Sequence, residues 1–199
     1  MSSREKILKE IAQNKPAAIP LPEKFSVARD NQNLVEKYLE VLRSIGGVGK
    51  VVSDFNEVQQ LLQQKLQEGV EVVNAIESLS PHNIGTYANK EAAGVESVHT
   101  VFLEGKIAVA ENAAIWLPER NMVNRVLPFI CQHLVLVVEE KNVVADMHQA
   151  YDRITVGEEG YGAFIAGPSK TADIEQSLVI GAHGPLNLDV FILAKKLID

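Results

Sequence analysis

The residues of this chain best suited to handling a small ligand or a proton are concentrated between Gly167 and Pro185, in GPSKTADIEQSLVIGAHGP. Ser169, Lys170 and Thr171 bring two hydroxyls and an ammonium directly after the apolar run AFIAG (163–167). In open α/β sheets ligands bind beyond the carboxyl ends of strands, and the free N–H groups of a following helix start favour an anion. Gly167, Pro168, Ser169, Lys170 and Thr171 therefore read as an anion-receptive loop. They also read as an ordinary strand-to-helix turn with Ser169 or Thr171 as its cap, and the residues alone leave both open. A Walker-type phosphate loop is excluded, since that motif places glycine immediately before the lysine and Ser169 stands there.

Asp173 and Glu175 follow the loop and join it as candidate ligand contacts, Asp173 also as an acid or base because it stands closer. The alternative for both is complementing the dipole of a first helical turn. His183, in Gly181-Ala182-His183-Gly184-Pro185, is a candidate for binding or for proton exchange near neutral pH, and Gly184 allows close backbone approach to a ligand. A purely structural turn histidine is the other reading. A third catalytic candidate is Glu111, which with Asn112 interrupts the apolar run IAVAENAAIWL (107–117). A carboxylate in such a run is costly unless it is useful or exposed, and a hairpin turn built on Asn112 also accounts for it.

Metal chemistry is not expected. His82, His99, His133, His148 and His183 lack any H-x-x-x-H pairing, and Cys131 alone cannot hold a zinc or iron–sulfur centre. Cys131 reads as an inert buried thiol and rules out an internal disulfide, which fits a reducing cytoplasm. The formal charge of −7 disfavours nucleic acid and anionic membranes as partners. Neither a signal peptide nor a membrane-spanning run is expected, because charges interrupt MSSREKILKEIAQNK and no later segment is long and apolar enough.

These groups need a scaffold, and 199 residues at 46% apolar content suffice for a single core. Ser2 and Glu5 have capping-box spacing ahead of Ile7, Leu8 and Ile11, which predicts a short N-terminal helix. Pro16, Pro20 and Pro22 make an extended linker, so residues 1–24 stand before an α/β domain at 25–199. A helical face runs from Leu34 to Ile45 and ends at Gly46-Gly47. Lys50–Val52 reads as a strand, and Asp54 with Glu57 as a capping box for a helix carrying Val58, Leu61, Leu62 and Leu66. Val70–Ile76 is the next strand, followed by loop and short helix through ESLSPHNIGTYANKEAAGVESV (77–98).

The spacing then predicts strands in IAVAENAAIWL and LVLVV, with a helical segment near Asn121–Phe129 that Pro128 ends or kinks. Val143, Met147, Ala150, Tyr151 and Ile154 form another helical face, with Asn142 as cap. AFIAG and DVFILA (189–194) are the last strands. Strands without polar alternation, alternating with helices, indicate a sheet buried on both faces and hence a three-layer α/β/α sandwich.

GPSKTADIEQSLVIGAHGP followed by DVFILA resembles the signature of the LUD-domain family. The run IAVAENAAIWL, the order around LPFICQHLVLVV and the N-terminal helix with its proline-rich linker are similar as well, so the resemblance covers nearly the whole chain. Asn112 and Ala113 stand where the family often has Thr and Gly, and Lys170 where Arg is frequent, which keeps the charge but loses the planar fork. The resemblance implies a fold like that of the NagB, ribose-phosphate isomerase and CoA-transferase group. It further implies a part in the oxidation of L-lactate to pyruvate, beside iron–sulfur lactate utilization proteins of A and B type. A chain with no cysteine set for clusters and no dinucleotide glycine fingerprint would be the non-redox component of such a system, binding a small anion. The alternatives are a CoA-transferase-like enzyme with Glu111 as nucleophile, or a small-ligand-binding module. The residues indicate no cofactor, and they leave assembly of identical copies open.

Overall fold

The computed structural model describes residues 2–17, 19–20, 33–155, 157, 160–172, 178–180 and 184–194. The chain divides into two units, Met1–Asn31 and Gln32–Asp199. In the first, helix α1 (Ser3–Gln13) starts at the expected capping box: Glu5 N–H donates to Ser2 Oγ at 3.3 Å, and Ser2 N–H donates to Glu5 Oε2 at 2.6 Å. The expected domain start near Phe25 lies outside the described residues.

In the second unit, Asn33 caps helix α2 (Leu34–Ser44) by accepting from the N–H groups of Val35 and Glu36. Gly46, at φ +91°, then turns the chain sharply into the first strand. Among the described residues the central sheet has five parallel strands. Their order is β1 (Val48–Val52), β11 (Asn187–Leu193), β6 (His133–Glu139), β3 (Thr100–Glu104), β2 (Val72–Asn74). Side chains alternate between the two faces of this sheet. Val52, Val72, Phe102, Val135, Val137 and Phe191 pack against Val58 and Leu62 of helix α3 (Asn56–Gln67). On the other face Val101, Leu103, Leu134, Leu136, Val190 and Ile192 pack against Val35, Tyr38 and Leu42 of α2.

That second face is shared with a smaller sheet, in the order β7 (Val143–Val144), β4 (Ile107–Val109), β5 (Ala114–Pro118), β8 (Gly162–Ile165). Ala108, Ile115 and Leu117 of the smaller sheet face the main core. Ile107, Val109, Ala114 and Trp116 face outward onto helix α6 (Met147–Arg153), where Ala150 is buried among them. The α/β/α sandwich with a parallel sheet buried on both faces is therefore present. The hairpin IAVAENAAIWL and the strand in AFIAG belong to the smaller sheet. The segments between β2 and β6 add two short helices, α4 (Ile84–Tyr87) and α5 (Leu127–Ile130).

Three local expectations are corrected. Pro128 sits in the first turn of α5, where its missing N–H costs nothing, and does not end a helix running from Asn121. Val143 lies in β7, paired with Ala108, so α6 starts later and is capped by Asp146, which accepts from Gln149 N–H at 2.9 Å. Asp54 does accept from Asn56 N–H at 2.9 Å, but Glu57 makes no reciprocal bond and instead pairs with Lys50 of β1.

Candidate functional site

β8 delivers the chain to Gly167, which is buried at φ +72°, and onward to the buried Pro168. These two residues wedge against the end of α2. A methyl at Gly167 would lie 3.1 Å from Ile45 O and Ile45 Cγ1, and Gly46 faces Pro168 and the Lys170 stem. Ser169 N–H donates to Pro185 O at 2.8 Å, and the Ser169 side chain lies against Gly184, where a Cβ would come within 2.9 Å of it. Two parts of the stretch that are well separated in sequence thus meet at Ser169, Gly184 and Pro185.

Lys170, exposed, then enters β9 (Lys170–Ala172), which pairs antiparallel with β10 (Leu178–Ile180). This corrects the expected helix start: cross-strand pairing of Thr171 with Val179 makes the segment extended, so Lys170 and Thr171 lie in a strand and not in the first turn of a helix. Asp173, Glu175 and His183 lie outside the described residues. The loop also sits at an unexpected edge of the central sheet. Ile45 precedes β1, Phe129 and Gln132 precede β6, and Pro185 precedes β11, so Gly167–Lys170 gathers at the amino ends of the parallel strands. Ser169 and Lys170 remain as an adjacent hydroxyl and ammonium able to meet an anion.

Glu111 and Asn112 occupy the tight turn between β4 and β5. Asn112 Oδ1 accepts from Ala114 N–H at 3.0 Å, and Glu111 Oε2 accepts from Met147 N–H at 3.1 Å, which fixes the first turn of α6. Ala113 is buried at φ +55°, a conformation that favours glycine, and its carbonyl accepts from the buried Tyr38 hydroxyl at 3.3 Å. That backbone angle gives the physical reason why a glycine suits this position.

A polar group that sequence spacing did not reveal lies at the same amino edge. Asn187 pairs with His133 across β11 and β6, which puts Asp189 diagonally beside His133 on the face covered by α3. His133 Nε2 lies 3.1 Å from Asp189 Oδ2 without a well-aligned hydrogen bond, and the histidine is only 8% exposed. His99 Nδ1 stands 2.8 Å from Thr100 Oγ1 next to this pair. Only the period-two register of parallel strands could have signalled it, because its members come from three distant segments.

His99 is held below the ordinary histidine pKa, first by burial and then by Lys65 and His133, with Glu68 opposing. The folded chain therefore binds fewer protons here than the unfolded chain. The associated stability is complete above the unfolded value of 6.5 and is lost as pH falls below it. The urea midpoint is expected to drop between about pH 7 and pH 5.5, and His99→Asn to flatten part of that slope. Equal slopes for the two proteins would remove His99 as the source.

At the carboxyl end of the central sheet, a cleft of about 320 Å³ is bordered by Glu104, Lys106, Asn121 and Glu139. Burial, then Glu139 and Glu77, push the Glu104 carboxyl above the usual range. Cys131 is fully buried, and burial pushes its thiol up to about 12, so the thiolate needed for a nucleophile is suppressed. Among the described residues, no group of three His, Cys, Asp or Glu is arranged to hold a metal ion, and no helix is long and apolar enough to cross a membrane.

Comparison with known proteins places these features in context. The LUD domain family matches residues 93–193, just over half of the chain, spanning both the Glu111 turn and the Gly167–Pro185 stretch. Lactate utilization protein C of Geobacillus thermodenitrificans is 32% identical over 114 residues, covering 54% of this chain and 47% of that protein. Lactate utilization protein C of Bacillus pumilus is 38% identical over 84 residues, covering 39% and 35%. The chain thus spans about half the length, or less, of these curated relatives. A crystal structure of a DUF162 family protein from Deinococcus radiodurans superposes with a TM-score of 0.59 at 16% identity, covering 80% of this chain and 96% of that one. This last likeness concerns the fold.

Proposed function

We propose that this chain, which belongs to the LUD-domain family, is a non-redox component of an L-lactate utilization system and contacts a small anionic ligand through Ser169 and Lys170. The observation that carries the reading is the match to relatives named lactate utilization protein C, combined with the meeting of Gly167–Lys170 and Gly184–Pro185 at one place. Electrons from lactate need a redox centre. A single cysteine with a suppressed thiolate cannot anchor an iron–sulfur cluster, so that work falls to iron–sulfur partner proteins of the A and B type in the cytoplasm. This chain then binds substrate or product carboxylate, or docks and assembles the partners. Thr171, Asp173, Glu175 and His183 remain proposed contacts of the same ligand.

Reconstitution tests the assignment. Lactate-dependent electron transfer by the iron–sulfur proteins should rise when this chain is added and the three should co-purify. Absence of both effects would count decisively against it. The anion contact is tested separately by calorimetry with L-lactate and pyruvate on the isolated chain. Lys170→Ala should weaken binding about tenfold, as expected for a charge-assisted hydrogen bond, with little change in thermal stability because Lys170 is exposed. An unaltered affinity would move the site elsewhere.

Glu111 bears on the enzymatic alternative. Its carboxylate already receives the Met147 N–H, so its presence in the turn is explained without a nucleophilic role. Trapping of an acyl group on Glu111 after incubation with acyl-CoA and borohydride would reverse this preference.

A further inference from the structure

We propose that the cleft between α3 and the β1–β11 pair binds a small neutral polyhydroxylated molecule, with Asp189 as its main acceptor and His133 as the residue that positions Asp189. The site is separate from the Gly167–Lys170 loop, and the inference does not depend on the lactate reading.

Register creates the cleft. Val48 pairs with Asp189 and Lys50 with Phe191, so all four side chains project from the sheet toward α3. Glu57, Gln60 and Gln64 line the opposite wall, and the space between holds about 330 Å³, within the range of small-molecule sites. β1 is the edge strand among the described residues, and Val48 and Lys50 beside the cleft are exposed.

Asp189 stands between the cleft and His133, because β11 lies between β1 and β6. Its side chain is three-quarters buried, and the only ion pair it makes among the described residues is with His133, at 3.1 Å. His133 Nε2 is itself buried without an aligned hydrogen bond. Buried polar groups short of partners are costly and uncommon, and a hydroxyl donating to Asp189 from the cleft gives the carboxylate the aligned hydrogen bond that His133 does not.

The lining selects the ligand class. Asp189 and Glu57 oppose a single cation, Lys50, which is already paired with Glu57 and lies over the Phe191 ring at 5.1 Å. The wall is thus net negative and disfavours a free anion. Gln60 and Gln64 offer amides that donate and accept, although Gln64 already donates to Glu68 at 2.8 Å. Hydroxyl groups also do both. A polyol or monosaccharide can donate to Asp189, exchange hydrogen bonds with the glutamines and rest its carbons on Val48, Leu61 and Phe191.

The test is an amide NMR titration of the full chain with D-ribose and glycerol, with L-lactate as the anionic comparison. Saturable shifts are expected at the Gln60 side-chain amide and the Asp189 backbone amide, in the millimolar range. Asp189→Asn should weaken ribose binding about tenfold. His133→Gln, which keeps an amide donor toward Asp189, should retain affinity within about threefold, whereas His133→Leu should not. Gln60→Ala, at an exposed position of the cleft wall, should weaken binding about threefold without disturbing the fold, which keeps the test valid if the buried variants unfold. The proposal is overturned by an absence of saturable shifts up to about 100 mM ribose or glycerol, by Asp189→Asn leaving ribose affinity unchanged, or by L-lactate binding there more tightly than ribose. Failure here leaves the Lys170 experiment untouched.

Discussion

Gly162→Ala is expected to destabilise the protein by about 3 kcal/mol and to lower its Tm by roughly 10 °C. Gly162 pairs with Pro118 at the start of β8, directly beneath the Trp116 ring. A methyl group there would lie 2.3 Å from Trp116 Cζ2 and 2.4 Å from Cη2, with Leu117 O at 3.1 Å behind it. The indole cannot easily retreat, since it is only 7% exposed and packs on Phe164 with ring centroids 4.9 Å apart. Pushing it outward compresses Ile107, Val109 and Val144 against Ala150 of α6. Because the chain has one tryptophan, fluorescence and near-ultraviolet circular dichroism report this displacement directly. Gly85→Ala is the control: nothing stands within 4 Å of that position, and alanine in the short helix α4 should be neutral or slightly stabilising. A loss below about 1 kcal/mol for Gly162→Ala would mean that the ring repacks freely.

The same residues show which parts of the fold were legible in the sequence. α2 was readable because its apolar stripe and the glycine that ends it are both local, whereas its cap, Asn33, is seen only in the structure. The strand character of AFIAG and IAVAENAAIWL was equally plain, but no local pattern says which sheet a strand joins. A second sheet beneath the first leaves apolar runs that look the same as those of a central strand. Val143 was misassigned for a related reason, since a two-residue strand such as β7 has no period of its own and its apolar residues extend the helical pattern of α6. Glu57 left its expected capping role because Lys50, seven residues earlier on another element, offered a charge.

The candidate site divides in the same way. That Gly167, Ser169 and Gly184 belong together was legible as composition, whereas the seating of Gly167 against Ile45 depends on the path of α2. A helix after Lys170 was a fair expectation from turn chemistry, but antiparallel pairing with β10 overrides a weak local preference. His133 and Asp189 could not be paired in advance, because they are 56 positions apart and meet only through parallel register.

A comparison of Gly167→Ala with Gly69→Ala separates backbone strain from crowding at the proposed site. Both glycines lie at φ +72°, so both alanine variants incur a similar left-handed penalty of about 1 kcal/mol. Gly69 has nothing within 4 Å of its would-be methyl, so that penalty should be nearly its whole effect. At Gly167 the methyl also meets Ile45 O and Cγ1 at 3.1 Å and Cδ1 at 3.2 Å, and a backbone oxygen at the end of a packed helix gives way reluctantly. The expected loss is therefore larger, about 2–3 kcal/mol, with the excess over Gly69→Ala measuring how firmly the loop is wedged. Denaturant titrations of the two variants read that excess. Equal losses would show that the loop yields freely at Ile45, leaving Ser169 and Lys170 without a rigid seat. If the excess appears, affinity for an anion measured on the folded Gly167→Ala protein should fall as well, because displacing Pro168 moves Ser169 off Pro185 and carries the Lys170 ammonium with it.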